Sequence, residues 1–177
     1  KYDEAIADYD KALEINPKHI NAYSNRALAY DKKGMYDLAI DDLNKALTIN
    51  QNFLAAYDNR ATVYIHKGMY DQAIEDCNKA LKLNSNIADV YNVRGDAYRL
   101  KGLYEQALVD YNKALSLDPK FADAYVGRGN IYAHNGMNER ATVEYNKAKV
   151  IDPKSLEQVV KDDNKNTVVN VVVPTSP

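Results

Sequence analysis

The sequence predicts an all-α solenoid of stacked helix-turn-helix units, and three observations carry that prediction. Gly34, Gly68, Gly102 and Gly136 stand 34 residues apart without a slip of register, and a fixed period of that length marks copies of one supersecondary unit. All 15 tyrosines fall on four columns of the same period: Tyr23, Tyr57, Tyr91 and Tyr125; Tyr30, Tyr64, Tyr98 and Tyr132; Tyr2, Tyr36, Tyr70 and Tyr104; and Tyr9, Tyr111 and Tyr145. No run of alternating β-type residues interrupts the repeats.

Each period divides into two helices. Over residues 22–33 the small and apolar residues Tyr23, Ala27 and Tyr30 recur at helical spacing, which places them on one face. Gly34 ends that helix, because a C-terminal cap of positive φ favours glycine. Over residues 36–49 the pattern resumes at Ala39, Leu43, Ala46 and Leu47, and Pro17, Pro119 and Pro153 close the second helix, with Gln51 and Ser85 in the other two copies. In chain order, residues 1–19 supply the second helix of a truncated repeat. Residues 20–53, 54–87, 88–121 and 122–155 are four repeats. Residues 156–177 form a capping turn and an extended, valine-rich tail. Thr142 and Lys149 replace the aliphatic residues of earlier copies, which suits a terminal repeat with a polar outer face. The valines of residues 167–174 favour an extended strand and predict docking on a groove or self-association. A chain that opens inside a repeat reads as a piece of a longer protein, whose other domains hold any catalytic activity.

The columns resemble the tetratricopeptide repeat, a 34-residue helix-turn-helix unit, over roughly residues 1–153. Tyr23 stands at that family's aromatic position, Ala27 at its small residue, Gly34 at its turn, and Tyr36, Ala39, Leu43, Ala46 and the prolines match the rest. The resemblance implies a right-handed superhelix whose concave face is lined by the first helix of each pair.

With 23 basic and 25 acidic side chains the net charge is −2, which argues against a nucleic-acid surface. No polybasic run offers a membrane anchor and no segment is apolar enough to span a bilayer. Cys77 is the single cysteine and shares a core column with Leu43 and Tyr111, so a buried, unpaired thiol and an intracellular setting are expected.

An arginine column, Arg26, Arg60, Arg94 and Arg128, keeps step with an acidic one, Asp8, Asp42, Asp76, Asp110 and Glu144; each arginine lies 18 residues after one acid and 16 before the next. The planar guanidinium binds a carboxylate through two parallel hydrogen bonds, so a ladder of pairs between stacked helices is expected, fixing register rather than gripping an acidic ligand. On that reading Arg94→Leu is mild and Arg94→Ala damaging.

If the resemblance holds, ligand contacts come from the first-helix positions that vary between copies. The candidates are Asn25 and Leu28 in the first repeat, Asp58, Asn59 and Thr62 in the second, Asn92, Asp96 and Arg99 in the third, and Asp123 and Asn130 in the fourth. Asparagine offers a donor and an acceptor to an extended backbone. The aspartates, with Asp89, outnumber Arg99 and Lys32, so a neutral or basic peptide is the expected partner. One groove chemistry of the family, the clamp with which co-chaperones hold the C-terminal carboxylate of heat-shock chaperones, does not fit. Tyr23-Ser24-Asn25-Arg26 resembles its asparagine helix, yet Ala55 and Asn59 stand where lysine and arginine belong, and Asp89 and Val93 defeat the alternative register.

No nucleophile, base and orienting group converge in the sequence, and no glycine-rich phosphate loop is present. His66 and His134 share a column two repeats apart, too far for a common metal. No catalysis, cofactor or metal is expected. The function read from the sequence is a protein–protein interaction scaffold that holds a peptide or extended segment in its groove. The alternatives are a recruiting region of a larger enzyme and a self-associating module.

Overall fold

The structure, a computed structural model, describes residues 1–156; the valine-rich tail lies outside the described residues. Among these the chain forms nine helices and no strand: α1 (Tyr2–Ile15), α2 (Ile20–Lys32), α3 (Tyr36–Ile49), α4 (Leu54–His66), α5 (Tyr70–Leu83), α6 (Ala88–Leu100), α7 (Tyr104–Leu117), α8 (Ala122–His134) and α9 (Asn138–Ile151). They make an all-α helical-repeat superhelix.

The period glycines make the turns within each pair. Gly34, Gly68, Gly102 and Gly136 have φ of 72°, 79°, 78° and 73°, the left-handed region in which a Cβ is costly. The Gly34 amide donates to the Asp31 carbonyl at 2.8 Å and the Met35 amide to the Tyr30 carbonyl at 2.9 Å, the two bonds of a Schellman cap. Each antiparallel pair packs closely because its contacts are small. Ala39, Ala73, Ala107 and Ala141, with Ala46, Ala80, Ala114 and Ala148, are wholly buried, so a larger side chain there would cost about 1–3 kcal/mol in overpacking. Successive first helices also touch, α2 with α4, α4 with α6 and α6 with α8, whereas successive second helices share no comparable contact. The stack therefore bends with its first helices on the inner face.

Tyr111 and Tyr145 occupy the core column of Leu43 and Cys77 and are almost wholly buried. Sixteen residues before each, on the partner helix, stands a residue sized to match: Ala27 for Leu43, Ala61 for Cys77, Gly95 for Tyr111 and Gly129 for Tyr145. A Cβ on Gly95 would lie 2.8 Å from Tyr111 Cε1, and one on Gly129 2.5 Å from Tyr145 Cε1. Mid-helix glycine, ordinarily worth about 1 kcal/mol less than alanine, is here the space a phenol ring fills. Cys77 is buried and free, and burial pushes its thiol pKa up.

The arginine ladder forms, and each rung takes the acid sixteen residues later. Arg60 donates from Nε and Nη2 to both oxygens of Asp76 at 2.6 and 2.8 Å, and Arg94 does so to Asp110 at 2.8 and 2.7 Å. Arg26–Asp42 and Arg128–Glu144 repeat the pairing. The acid is always the one on the second helix of the same pair. The step to the preceding pair is made by Nη1, which donates to Asp10, Asn44, Asn78 and Asn112 in turn. That column lies two residues beyond the acids, while Asp8 makes only a surface contact with Lys11. Each guanidinium also lies over the tyrosine three residues before it, 5.7 Å away for Arg26 and 5.4 Å for Arg128, a cation–π contact.

The far end is only partly polar. Thr142 returns its hydroxyl to the Asn138 carbonyl, but Val143 and Val150 are exposed. Leu156 packs on Ala133, Ala141 and Tyr145. A covering turn that included Val159 and Val160 would lie outside the described residues.

Candidate functional site

The inner face is built by α2, α4, α6 and α8, and it is less open than a sequence list suggests. Asn25, Leu28 and Asp123 are exposed there, and Asp58, Asn59, Thr62, Asp96, Arg99 and Asn130 are half-buried. Asn92 is buried. Several of these groups are engaged within the fold. Asn59 Nδ2 donates to Ser24 Oγ at 3.0 Å, linking α4 to α2. The Thr62 hydroxyl donates to the Asp58 carbonyl. Asn130 Oδ1 accepts from the Tyr145 hydroxyl at 2.8 Å.

The third repeat holds the densest network. The Tyr111 hydroxyl comes from α7 past Gly95 and donates to Asp96 Oδ1 at 2.7 Å. Arg99 Nε donates to the same phenol at 3.3 Å and Nη2 to Asp96 Oδ1 at 3.4 Å. Asn92 Nδ2 donates to Asp96 Oδ2 at 3.4 Å. Burial pushes the Asp96 carboxyl pKa up, against the opposing pull of Arg99 and the Tyr111 phenol. Sequence reasoning missed Tyr111 and Tyr145, which present hydroxyls to the inner face from second helices. The available signal was the coincidence of a mid-helix glycine with a core tyrosine sixteen residues later.

Around this network the remaining charge is acidic. Burial, with charge and hydrogen-bond contact from Asp89, pushes Asp58 up to about 7. Partial desolvation of its carboxyl, with the charges of Asp96, Asp89 and Asp152, also raises the solvent-facing Asp123. The arginines do not offset this field, because Arg60 and Arg94 are held by Asp76 and Asp110 and Arg99 by Asp96.

Each histidine has a local role. His19 caps α2 by accepting from the Ala22 amide. His66 Nδ1 meets Asp31 Oδ1 at 2.6 Å, and His134 lies against the Tyr104 ring at 4.6 Å between centroids. Among the described residues no group of three His, Cys, Asp or Glu side chains is placed to hold a metal ion, and no helix is long and apolar enough to cross a membrane.

Comparison with known proteins places this architecture. A model described as TPR repeat matches residues 1–34 and 95–136, and two described as tetratricopeptide repeat match residues 20–53 and 55–87 and residues 122–155. No curated relative matches the chain. Among solved structures, MamA is 26% identical with a TM-score of 0.70, covering 90% of this chain and 91% of its own. YrrB, described as a TPR protein with an unusual peptide-binding site, is 27% identical with a TM-score of 0.66, covering 91% and 83%. The first TPR of Spaghetti (RPAP3), solved bound to the HSP90 peptide SRMEEVD, is 28% identical with a TM-score of 0.62, covering 66% of this chain and 93% of its own. The repeat models together span nearly all the described residues, and the chain belongs to the tetratricopeptide repeat family.

Proposed function

We propose that this protein–protein interaction scaffold binds a peptide or extended segment along the inner face of α2, α4, α6 and α8, without making or breaking bonds. The observation that carries the reading is the division of labour along the repeat. Invariant columns are consumed by turns, core and arginine ladder, while the inner-face positions change from copy to copy: Asn25, Asn59, Val93, Gly127 in one column and Leu28, Thr62, Asp96, Asn130 in the next. A preformed face of this kind binds without ordering itself first, which limits the entropic cost to that of the peptide. Family neighbours solved with a peptide or described by a peptide-binding site support it. The acidic surplus of Asp58, Asp89 and Asp123 favours a neutral to basic segment over an acidic one. Ala55, Asn59, Asp89 and Val93 supply no cationic clamp for a carboxylate terminus.

The test is selection of unstructured decapeptides from a displayed library by the full chain, followed by competition with a variant carrying Asn25→Ala, Leu28→Ala and Asp123→Ala. These residues are exposed, so the fold should survive. Selected peptides should bind the variant at least tenfold more weakly; equal binding would move the site off the inner face.

A further inference from the structure

Two acceptor atoms on this face are buried with no donor. Asn92 is 6% exposed, and its Oδ1, like Asp58 Oδ1, is enclosed and makes no hydrogen bond. The amide orientation is fixed, because Nδ2 must face the Asp96 carboxylate to which it donates and a carbonyl oxygen there would meet another acceptor. Oδ1 is thereby turned away from Asp96, and Asn92 itself shares a helix face with Asp89 three residues earlier. Asp58 is the residue equivalent to Asn92 in the preceding repeat, and its carboxyl meets that of Asp89 across the α4–α6 boundary. The three side chains present acceptors from two adjacent first helices, and no side-chain donor of the fold reaches the orphaned atoms.

Leaving a buried acceptor unpaired forfeits the hydration it had in the unfolded chain. We propose that Asp58, Asp89 and Asn92 form a subsite for one cationic side chain of a bound segment, a lysine ammonium or an arginine guanidinium, with Asp123 adding to the attraction from α8. This deepens, and rests on, the reading of the inner face as a peptide groove. A cationic head group brings three or more donors and no acceptor, which is the complement of what the site lacks. Every nearby arginine is already occupied: Arg60 by Asp76 and Asn44, Arg94 by Asp110 and Asn78, Arg99 by Asp96 and Tyr111. The cation must therefore come from outside the repeat framework. A metal ion does not fit, since no suitable group of ligating side chains is assembled among the described residues. Asp89 is exposed, Asp58 half-buried and Asn92 buried.

The test is a chemical-shift titration of the uniformly ¹⁵N-labelled full chain with the N-acetyl, N′-methylamide derivatives of lysine, arginine and norleucine at constant ionic strength. The lysine or arginine derivative should give saturable shifts at the Asn92 side-chain amide and at the backbone amides of Asp58 and Asp89, and the choice between them identifies the head group. Affinity should fall at least tenfold in Asp58→Asn and Asn92→Leu, with the ¹⁵N spectrum of each variant showing that it is folded. Equal shifts from norleucine would overturn the subsite. So would cation shifts that spread without saturation over surface carboxylates such as Asp37 and Asp71, or no shifts at all. Decapeptides with central lysine or glutamine separate this idea from the groove itself. Equal inner-face binding by both would reject the cation subsite and leave the groove standing. A saturating lysine derivative with no peptide bound along the face would reject the groove alone.

Discussion

At the scale of single residues, the pairing of Gly95 with Tyr111 gives the sharpest test of packing. A helix-interior Gly→Ala change normally stabilises by about 1 kcal/mol, but here the new Cβ meets a buried, hydrogen-bonded ring at 2.8 Å. Gly95→Ala should therefore destabilise by about 1–3 kcal/mol. In a Tyr111→Leu background, which restores the Ala27–Leu43 combination of the first pair, the same change should stabilise. Urea unfolding of the four proteins measures both signs. Asp58 makes a second residue-scale prediction. Its carboxyl rises from the ordinary value of 3.8 to about 7 on folding, so between those pH values the folded chain binds more protons than the unfolded one. Stability from this group is present at low pH and falls as pH rises through the window, by at most about 1.4 kcal/mol per pH unit. Relative to Asp58→Asn, the wild-type urea midpoint should drop between pH 5 and pH 8; parallel profiles would contradict the raised Asp58 carboxyl.

At the scale of elements, the arginine rungs decide how a pair of helices holds its register. The sequence led to the expectation that Arg94→Leu is mild. The structure revises it, because the Asp110 side chain is only 4% exposed and either Arg94→Leu or Arg94→Ala leaves it charged without its partner. Both should cost about 3–5 kcal/mol, whereas the double variant Arg94→Leu, Asp110→Leu should be near neutral, as read by thermal unfolding. The outer rungs behave differently. Lys33, Lys67 and Lys101 reach back to Asp3, Asp37 and Asp71, but those carboxylates are solvent-exposed and such pairs are worth about 0–1 kcal/mol each. Replacing all three lysines by methionine should change stability little, and less still at high salt.

Helices, turns and ladder columns were legible in the sequence because each is a local demand repeated at one period: positive φ at Gly34, small contacts at Ala39 and Ala46, a fork for a carboxylate at Arg26. The inner face was legible as a set of positions but not as a chemistry. Whether Asn59 faces a ligand or Ser24, and whether Asp96 is free or bound by Tyr111, depends on contacts 12 to 35 residues apart with no repeated signature. The connectivity of the ladder was open for a related reason: the acids sixteen residues ahead and eighteen behind lie on different second helices, and spacing alone does not say which of them the fork faces.

At the scale of the whole molecule, stability is a sum of pairs and their nearest-neighbour contacts, so the chain should loosen from its ends. Hydrogen exchange should be slowest in α4 to α7 and fastest in α1 and α9. The same architecture carries the inner face across four pairs, which suits it to the proposed role of binding surface. The measurement that tests that claim most directly is hydrogen exchange of the full chain with and without a peptide selected from the decapeptide library. New protection is expected along α2, α4, α6 and α8, strongest around Asp58, Asp89 and Asn92. Protection confined to α3, α5, α7 and α9 would contradict it.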